Sequence, residues 1–213
     1  DAVLNELEDY TRNYADVVVY VSYALRNQME KLSIYEGLET PAKILVLPDF
    51  VYGDIFDEFQ SNNFDFMPAP RKFAYFGRLD NLKGIDVFIE SIKVLVAKLR
   101  NDPNSPSLSE VAIIGDYPGN KGKQATGILV NNFISEMAQC GIVVKQFNNL
   151  MTVEATKKML EEEYVAVLPS LYETYSMALL ETLSFGIPVI HGDAGGQSEV
   201  SKNNLNIFHN SDP

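Results

Sequence analysis

Short apolar runs alternate with amphipathic helical patterns along most of the chain. Continuous apolar runs bounded by turn residues are typical of strands that are buried on both faces of a sheet. They predict strands at Asp16–Ser22, Ile44–Leu47, Phe73–Phe76, Val111–Ile114, Ile142–Val144, Val165–Leu168, Ile187–Ile190 and Asn206–Phe208. Apolar positions at helical spacing predict helices over Leu4–Tyr14, Tyr23–Leu32, Ile85–Leu99, Ala125–Gln139, Val153–Glu162 and Met177–Phe185, with a short helix before the last strand.

This order predicts an α/β fold, a doubly wound, Rossmann-like parallel sheet with helices on both faces. Residues 49–70 interrupt the pattern with aromatic and acidic residues and with Pro68 and Pro70, so we predict a linker there. In doubly wound sheets, ligands bind beyond the carboxyl ends of the strands, near the point where the strand order reverses. The loops that follow the strands are therefore the places to look for chemistry.

Charge and composition narrow the possible functions. The 213 residues include 17 Lys and Arg against 29 Asp and Glu, a net charge of −12, which argues against a nucleic-acid binder because such proteins need clustered cations. The single cysteine, Cys140, excludes an internal disulfide framework, and the two histidines offer no zinc spacing. No apolar run is long enough for a membrane span, and the polar start does not resemble a signal peptide, so we predict a cytoplasmic protein. The chain opens on Asp1 within a helical pattern, which predicts a piece of a longer protein.

The loop after the strand at 73–76 combines glycine with two cations. Gly77 allows a turn where a side chain would collide, and Gly84 precedes a helix whose first N–H groups favour an anion. Arg78 offers a guanidinium fork and Lys83 a mobile ammonium group, and both suit phosphate. The order of a Walker loop is absent. A phosphate site and an ordinary turn with two solvated charges are both compatible with this loop.

Two glutamates flank the start of the helix that follows the strand at 165–168. If all residues between Glu173 and Glu181 were helical, the carboxylates would lie about 12 Å apart along the axis. That is too far for a proton-sharing pair or for the close carboxylates of a retaining glycosidase, but it suits the two ends of an elongated ligand. The N–H groups of Thr174 to Met177 would point at whatever lies between them. Alternatively, Glu173 is an N-terminal helix charge and Glu181 a surface residue.

The two remaining loops carry weaker signals. Gly115–Asp116 ends a strand at the ligand edge, but the Pro118–Gly119 pair that follows favours a simple turn. Gly195–Gly196 permits close backbone approach before a short helix, in which Glu199 is interpreted as an N-terminal helix charge.

Together, these motifs resemble the donor-binding half of retaining glycosyltransferases of the two-domain GT-B architecture, most closely the large family 4 (group 1 glycosyltransferases). The resemblance covers residues 73–200 and rests on Phe76–Gly84, Gly115–Asp116 with Pro118, Glu173-x7-Glu181 behind Pro169–Ser170, Phe185–Ile190 and Gly195–Glu199. The earlier segments Ala15–Leu25 and Ile44–Pro48 resemble the end of the family's acceptor domain. The resemblance thus implies that residues 1–70 are a remnant of that domain plus the linker, and residues 71–213 the C-terminal donor domain.

The resemblance also implies roles for individual residues. Arg78 and Lys83 would hold the donor diphosphate and stabilise it as it leaves, Glu173 would contact sugar hydroxyls, and Glu181 would accept hydrogen bonds from the ribose. Backbone groups at Gly77 and at Thr174, Tyr175, Ser176 and Met177 would contact phosphate or sugar, and the base would lie near Gly115–Asp116 and residues 147–151. The implied ligand is a nucleoside-diphosphate sugar, UDP- or GDP-linked, with no cofactor and no metal. The acceptor, whether glycan, lipid or protein, stays open, as does peripheral membrane association through the missing domain.

Two positions depart from the family pattern. Ser176 stands where the family commonly has glycine, which would crowd the sugar pocket, and Asp49–Gly53 replaces the usual Asn-Gly-Val-Asp of the linker. Two alternatives to a transferase therefore remain. One is a non-catalytic nucleotide-sugar-binding or scaffolding domain, and the other is a nucleotide-sugar epimerase of the same architecture. In either case the chain alone, without most of the acceptor domain, is expected to transfer little or nothing.

Overall fold

The computed structural model describes residues 15–31, 43–50, 72–102, 104, 107–150, 152–201 and 207–208. The helix predicted over Leu4–Tyr14 and linker residues 51–70 lie outside the described residues. Strands β1 (Val18–Tyr20) and β2 (Ile44–Val46) pair in parallel as a two-stranded sheet, and helix α1 (Tyr23–Lys31) follows β1.

The main body is a six-stranded sheet in the spatial order β5-β4-β3-β6-β7-β8. Its strands are β3 (Lys72–Phe76), β4 (Glu110–Ile114), β5 (Val143–Phe147), β6 (Val165–Leu168), β7 (Val189–Gly192) and β8 (Ile207–Phe208). All neighbouring strands are parallel, and the order reverses between β3 and β6, where Phe73 is paired with Val165. This β3/β6 boundary is the switch point of a doubly wound sheet, which confirms the predicted fold class.

Helices cover both faces of this sheet. They are α2 (Ile85–Arg100), α3 (Gly119–Gln139), α4 (Thr152–Glu161), α5 (Met177–Ser184) and α6 (Gln197–Val200), with a 3-10 turn at Asn81–Lys83 before α2. Tyr75 of β3 packs in one apolar cluster with Phe88 of α2 and Phe133 of α3. Its neighbour Ala74 packs in a second cluster with Leu179 of α5. Successive strand residues point to opposite faces, so the two clusters form the cores of the two helical layers.

Several boundaries differ from the sequence prediction, and three of them have a clear physical reason. Helix α3 begins at Gly119 rather than at Ala125, because its first turns are polar and glycine-containing and show no apolar period. The strand predicted to open at Ile142–Val144 is β5, which begins at Val143 and continues to Phe147, because an edge strand tolerates polar residues such as Lys145 and Gln146. Strand β7 begins at Val189 rather than at Ile187, because Pro188 has no N–H to donate.

Candidate functional site

Four loops meet at the carboxyl edge of the large sheet. We name them L1 (77–84, after β3), L2 (115–118, after β4), L3 (169–176, after β6) and L4 (193–196, after β7). Because β3 and β6 are neighbours, L1 and L3 flank the switch point. The sequence prediction placed the candidate chemistry on these same loops.

Backbone hydrogen bonds join the loops into one unit. They connect L1 to L2 (Leu79 N to Asp116 O, 2.8 Å), L1 to L3 (Leu171 N to Leu82 O, 2.9 Å) and L3 to L4 (Gly196 N to Glu173 O, 2.8 Å). L1 and L3 approach so closely that a Cβ added at Gly84, where φ is +72°, would lie 2.0 Å from the carbonyl oxygen of Pro169. Only glycine fits this position, so its place in the motif has a packing reason.

Lys83 and Glu173 meet across the switch point. The Lys83 Nζ atom lies 2.6 Å from Glu173 Oε1, which also accepts a 2.8 Å hydrogen bond from the Ser170 hydroxyl. Glu173 is only 8% exposed although it carries a charge. A buried carboxylate needs such partners, and the contact binds L1 to L3 through their side chains as well. Glu173 is therefore not an N-terminal charge of α5, which begins at Met177.

The second predicted cation, Arg78, stands at the opposite end of L1. Its side chain is 52% exposed, and its Nε donates to the carboxylate of Asp80. The other oxygen of Asp80 accepts from the N–H of Lys83 at 2.9 Å and so caps the 3-10 turn. The guanidinium is thus accessible to an anion, while the backbone of the loop is fixed.

Tyr75, in strand β3, binds the backbone of L1 through its hydroxyl group. Its side chain is fully buried, and its hydroxyl lies 2.6 Å from the carbonyl oxygen of Arg78 and 3.3 Å from that of Lys83. Burial, together with the charge of Asp80, raises the pKa of this hydroxyl, which therefore stays protonated and donates.

Glu181 lies in the interior of α5 and is half-buried. Burial raises the pKa of its carboxyl group. No cation forms an ion pair with it among the described residues. Because α5 begins four residues after Glu173, the stretch between the two glutamates is only partly helical, and the predicted axial spacing of about 12 Å does not apply.

Residues 174–177 form the entry to α5. Ser176 is 2% exposed, and its hydroxyl accepts a 3.4 Å hydrogen bond from the N–H of Leu179, which makes it the N-cap. Within the described ranges, the N–H groups of Tyr175, Ser176 and Met177 have no hydrogen-bond acceptor. Free N–H groups at a helix start favour an anion or a hydroxyl oxygen. The hydroxyl of Ser176 is turned toward its own helix, which reduces the expected crowding of a neighbouring pocket.

L2 is tied to the end of β5. The N–H of Gly115 donates to the carbonyl oxygen of Phe147 at 2.9 Å, and the carboxylate of Asp116 accepts from the N–H of Asn149 at 2.7 Å. A cavity of about 350 Å³ adjoins this junction, and uncharged residues line it, among them Tyr117 and Gln146. Asp116 thus has a clear structural function in ordering the loop edge.

L4 and the strand before it show two further features. His191 is fully buried, its Nδ1 lies 2.7 Å from the carbonyl oxygen of Gly192, and burial lowers the pKa of its imidazole, all of which suit a structural residue. Glu199 lies in the first turn of α6 as predicted, but its carboxylate binds the N–H groups of Tyr23 and Ala24 in α1.

Several residues that shape this site carry little signal in the sequence. Tyr75 lies in an apolar strand and gives no signal, and Asp80 reads as one more loop charge. Ser170 was quoted as part of a motif but not as a partner of Glu173. Only the tertiary structure brings these three groups to the loop atoms that they bind.

The described residues contain neither a metal-binding cluster nor a membrane-spanning helix. No group of three or more His, Cys, Asp or Glu side chains in these ranges is arranged to hold a metal ion. Likewise, none of the helices described has the length and apolar character needed to cross a lipid bilayer.

The fold is that of an α/β protein whose loops converge at the switch point of a doubly wound sheet, where proteins of this fold bind ligands. The sequence profile of the family described as "Glycosyl transferases group 1" matches residues 56–213, well over half of the chain. The chain belongs to the group 1 glycosyltransferases. Comparison with curated protein sequences gives no match.

Solved structures share the fold at low sequence identity. HepE of Anabaena, crystallised with UDP and glucose, is 17% identical with a TM-score of 0.63, covering 98% of this chain and 53% of its own. A glycosyltransferase of Rickettsia africae is 18% identical with a TM-score of 0.64, and the match covers 96% of this chain and 52% of that protein. The pneumococcal O-GlcNAc transferase GtfA, in complex with UDP and GlcNAc, is 19% identical with a TM-score of 0.57. This match covers 91% of this chain and 34% of that protein. This chain therefore spans about half or less of these proteins, all of which have the GT-B, Rossmann-like architecture.

Proposed function

We propose that this chain is the C-terminal, donor-binding part of a retaining, family 4-type glycosyltransferase, and that it binds a nucleoside-diphosphate sugar. The full-length protein would transfer a hexose from that donor to an acceptor with retention of configuration. Residues 1–70 would be the remnant of the acceptor domain with the linker, and residues 71–213 the donor domain. The family membership and the fold support this division, and the chain alone is expected to bind donor without transferring it.

The observation that carries the proposal is the ion pair between Lys83 and Glu173 across the switch point. Side chains of opposite charge from the two flanking loops meet where doubly wound sheets bind nucleotides. An ammonium group beside a carboxylate can hold a phosphate and a sugar hydroxyl side by side, because one group binds the anion and the other accepts from the hydroxyl.

Within this proposal, each charged residue has a distinct role. Lys83 and the exposed Arg78 hold the diphosphate, and they stabilise the negative charge that grows when the bond between the phosphate oxygen and the anomeric carbon breaks. Glu173 accepts from the sugar hydroxyls. Glu181 accepts from the ribose hydroxyls, and the free N–H groups of Tyr175 to Met177 contact phosphate or sugar oxygens. The base lies near Gly115–Asp116 and the end of β5.

The test is a thermal-shift panel of UDP-, GDP- and ADP-sugars on this chain and on Lys83→Ala. Ligand at 100 times its dissociation constant stabilises the folded state by about 2.7 kcal/mol. At this size, that corresponds to a rise in Tm of roughly 5–10 °C. We expect a shift with one nucleotide class and its loss in Lys83→Ala.

Lys93→Ala is the matched control, because it removes a lysine that pairs with Glu90 and Glu136 on the surfaces of α2 and α3. It should keep the ligand shift of the parent chain. If no nucleotide sugar shifts either this chain or the full-length protein, the proposed function is wrong.

A further inference from the structure

Helix α1 begins directly against L3 and L4. The carboxylate of Glu199 accepts hydrogen bonds from the backbone N–H groups of Tyr23 at 2.9 Å and of Ala24 at 2.6 Å. These are the first two N–H groups of α1, which an isolated helix would leave without a partner. A carboxylate of α6, which follows the predicted linker in the sequence, therefore caps a helix that precedes this linker.

Ser22 completes the contact from the side of α1. It is fully buried, and its hydroxyl accepts from the N–H of Leu25 at 3.0 Å and donates to the carbonyl oxygen of Thr174 at 2.5 Å. One hydroxyl thus caps the helix and binds L3 at the residue after Glu173. We call Ser22 to Ala24, Thr174 and Glu199 the clasp.

L4 lies in contact with the same atoms. A Cβ added to Gly196 would come within 2.2 Å of the carbonyl oxygen of Thr174 and 3.0 Å of the Ser22 side chain. The N–H of Gly196 donates to the carbonyl oxygen of Glu173. One turn along α1, the hydroxyl of Tyr172 donates to the side-chain oxygen of Gln28. The clasp therefore holds the backbone of L3 at Thr174, and the side chain of Tyr172 anchors L3 to α1 on the other side of Glu173.

We propose that Glu199 is a positioning residue that couples helix α1 to the sugar end of the donor site. This inference rests on the proposed function, in which Glu173 contacts the sugar. By capping α1, Glu199 holds Ser22 against Thr174 and so fixes the backbone that carries Glu173. None of the described hydrogen bonds of α1 reaches L1 or L2, which hold the diphosphate and the base. Loss of the clasp should therefore weaken the binding of the sugar and leave the affinity for the free nucleotide unchanged.

The first measurement is residue-resolved amide hydrogen exchange by NMR on this chain without ligand. In Glu199→Ala, exchange should quicken about tenfold at Tyr23 and Ala24, the local effect of losing a helix cap. Coupling further predicts faster exchange at Gly196, whose N–H reports on the backbone of Glu173, with no change at Ala74 in the core strand β3. Glu199→Gln keeps an acceptor oxygen and should show a smaller effect. Glu90→Ala, which removes an exposed glutamate of α2, is the charge-matched control and should change none of these amides.

The second measurement compares the affinity for UDP with that for UDP-glucose, or for the nucleotide that the thermal-shift panel selects. Glu199→Ala and Ser22→Ala should weaken nucleotide-sugar binding about tenfold while the affinity for the free nucleotide stays the same, and Glu199→Gln should recover part of the loss. A residue that only stabilised the fold would not change this ratio. Ser135→Ala, which removes an exposed hydroxyl from α3, is the control.

The outcomes separate the two proposals. If Glu199→Ala leaves Gly196 exchange unchanged, the coupling is overturned, whether or not the parent chain binds a nucleotide. If the parent chain binds nucleotide sugar and Glu199→Ala keeps the parent ratio of affinities, the positioning role fails while the proposed function stands. If neither the parent chain nor the full-length protein binds a nucleotide sugar, the proposed function fails, and the exchange result alone decides the coupling.

Discussion

At the residue scale, Glu181 is a carboxylate whose burial disfavours its charged form. Burial raises its pKa above the ordinary value of 4.5. The folded chain therefore binds protons more readily than the unfolded chain between 4.5 and that raised value. Consequently the free energy of unfolding falls as the pH rises through this window, and the ionised group destabilises the fold at neutral pH.

Replacing Glu181 by glutamine should therefore stabilise the chain and weaken its ligand affinity. At pH 7 we expect Glu181→Gln to raise Tm by roughly 2–4 °C, the shift that ~1 kcal/mol produces at this size. Its affinity for the nucleotide sugar should fall about tenfold, since a neutral amide is a weaker acceptor than a carboxylate. Calorimetry and titration of both proteins test this, with pH 4 as the internal control, because both side chains are then largely neutral. Equal Tm values at pH 7 would contradict the argument.

The positions of candidate site residues were predictable where a local motif carried them, and their roles stay a prediction. Lys83 and Glu173 were placed on loops that must meet at one sheet edge, and the structure brings them together. The partner of Glu199 was not predictable, because Ala24 lies 175 residues away in sequence and a backbone N–H has no sequence signature. The sequence indicated a helix charge, and only the docking of α1 shows which helix it serves.

At the element scale, the starts of α1, α2, α4 and α5 match the prediction to within one residue, and the start of α3 does not. Apolar runs define β3 and β6 because those strands are buried on both faces. The start of α3 gave no signal, because its first turns show no apolar period. The start of α5 was predicted at Met177, and its cap, Ser176, matches the residue types that favour helix N-termini.

The cap of α5 allows a comparison of two small substitutions. Ser176→Ala loses the hydrogen bond to Leu179 and should lower the free energy of unfolding by about 1 kcal/mol. Ser176→Gly, which restores the residue common in the family, should cost only a few tenths of a kcal/mol, because glycine is itself a tolerated cap. Neither should improve nucleotide-sugar affinity, since the serine hydroxyl faces its own helix. Urea denaturation gives the ranking, and a marked gain in affinity for Ser176→Gly would show that the serine does crowd the pocket.

At the scale of the whole molecule, the edge of the sheet opposite the site is held by a charge network. Lys145 lies 2.9 Å from Glu110 and 2.8 Å from Glu162, and Lys158 lies 2.8 Å from the same Glu162. Hydrogen bonds from Lys145 and then Lys158 lower the pKa of Glu162 from 4.5 to about 2. The network joins the end of α4 to strands β4 and β5, and the hydroxyl of Tyr164 also donates to Glu110.

Because of this lowered pKa, the free energy of unfolding depends on pH between 4.5 and about 2. The contribution of Glu162 is fully present above pH 4.5 and is lost as the pH falls through about 2. Glu162→Gln should therefore be about 1 kcal/mol less stable than the parent chain at pH 7, the magnitude of a partly exposed ion pair. The difference should vanish near pH 2. Glu161→Gln is the control, because its contact with Lys157 is long and exposed, and denaturant titrations at both pH values make the comparison.

The strand order has a consequence for how the site comes into existence. Strands β3 to β5 are consecutive in sequence and so are β6 to β8, and the pairing of Phe73 with Val165 connects these two halves of the sheet. Contacts so distant along the chain carry a large loop-closure cost and form slowly. L1 and L3 belong to different halves, so neither half alone contains the site. A ligand of this site cannot bind until the halves have joined. It should therefore slow unfolding and leave the rate of folding unchanged.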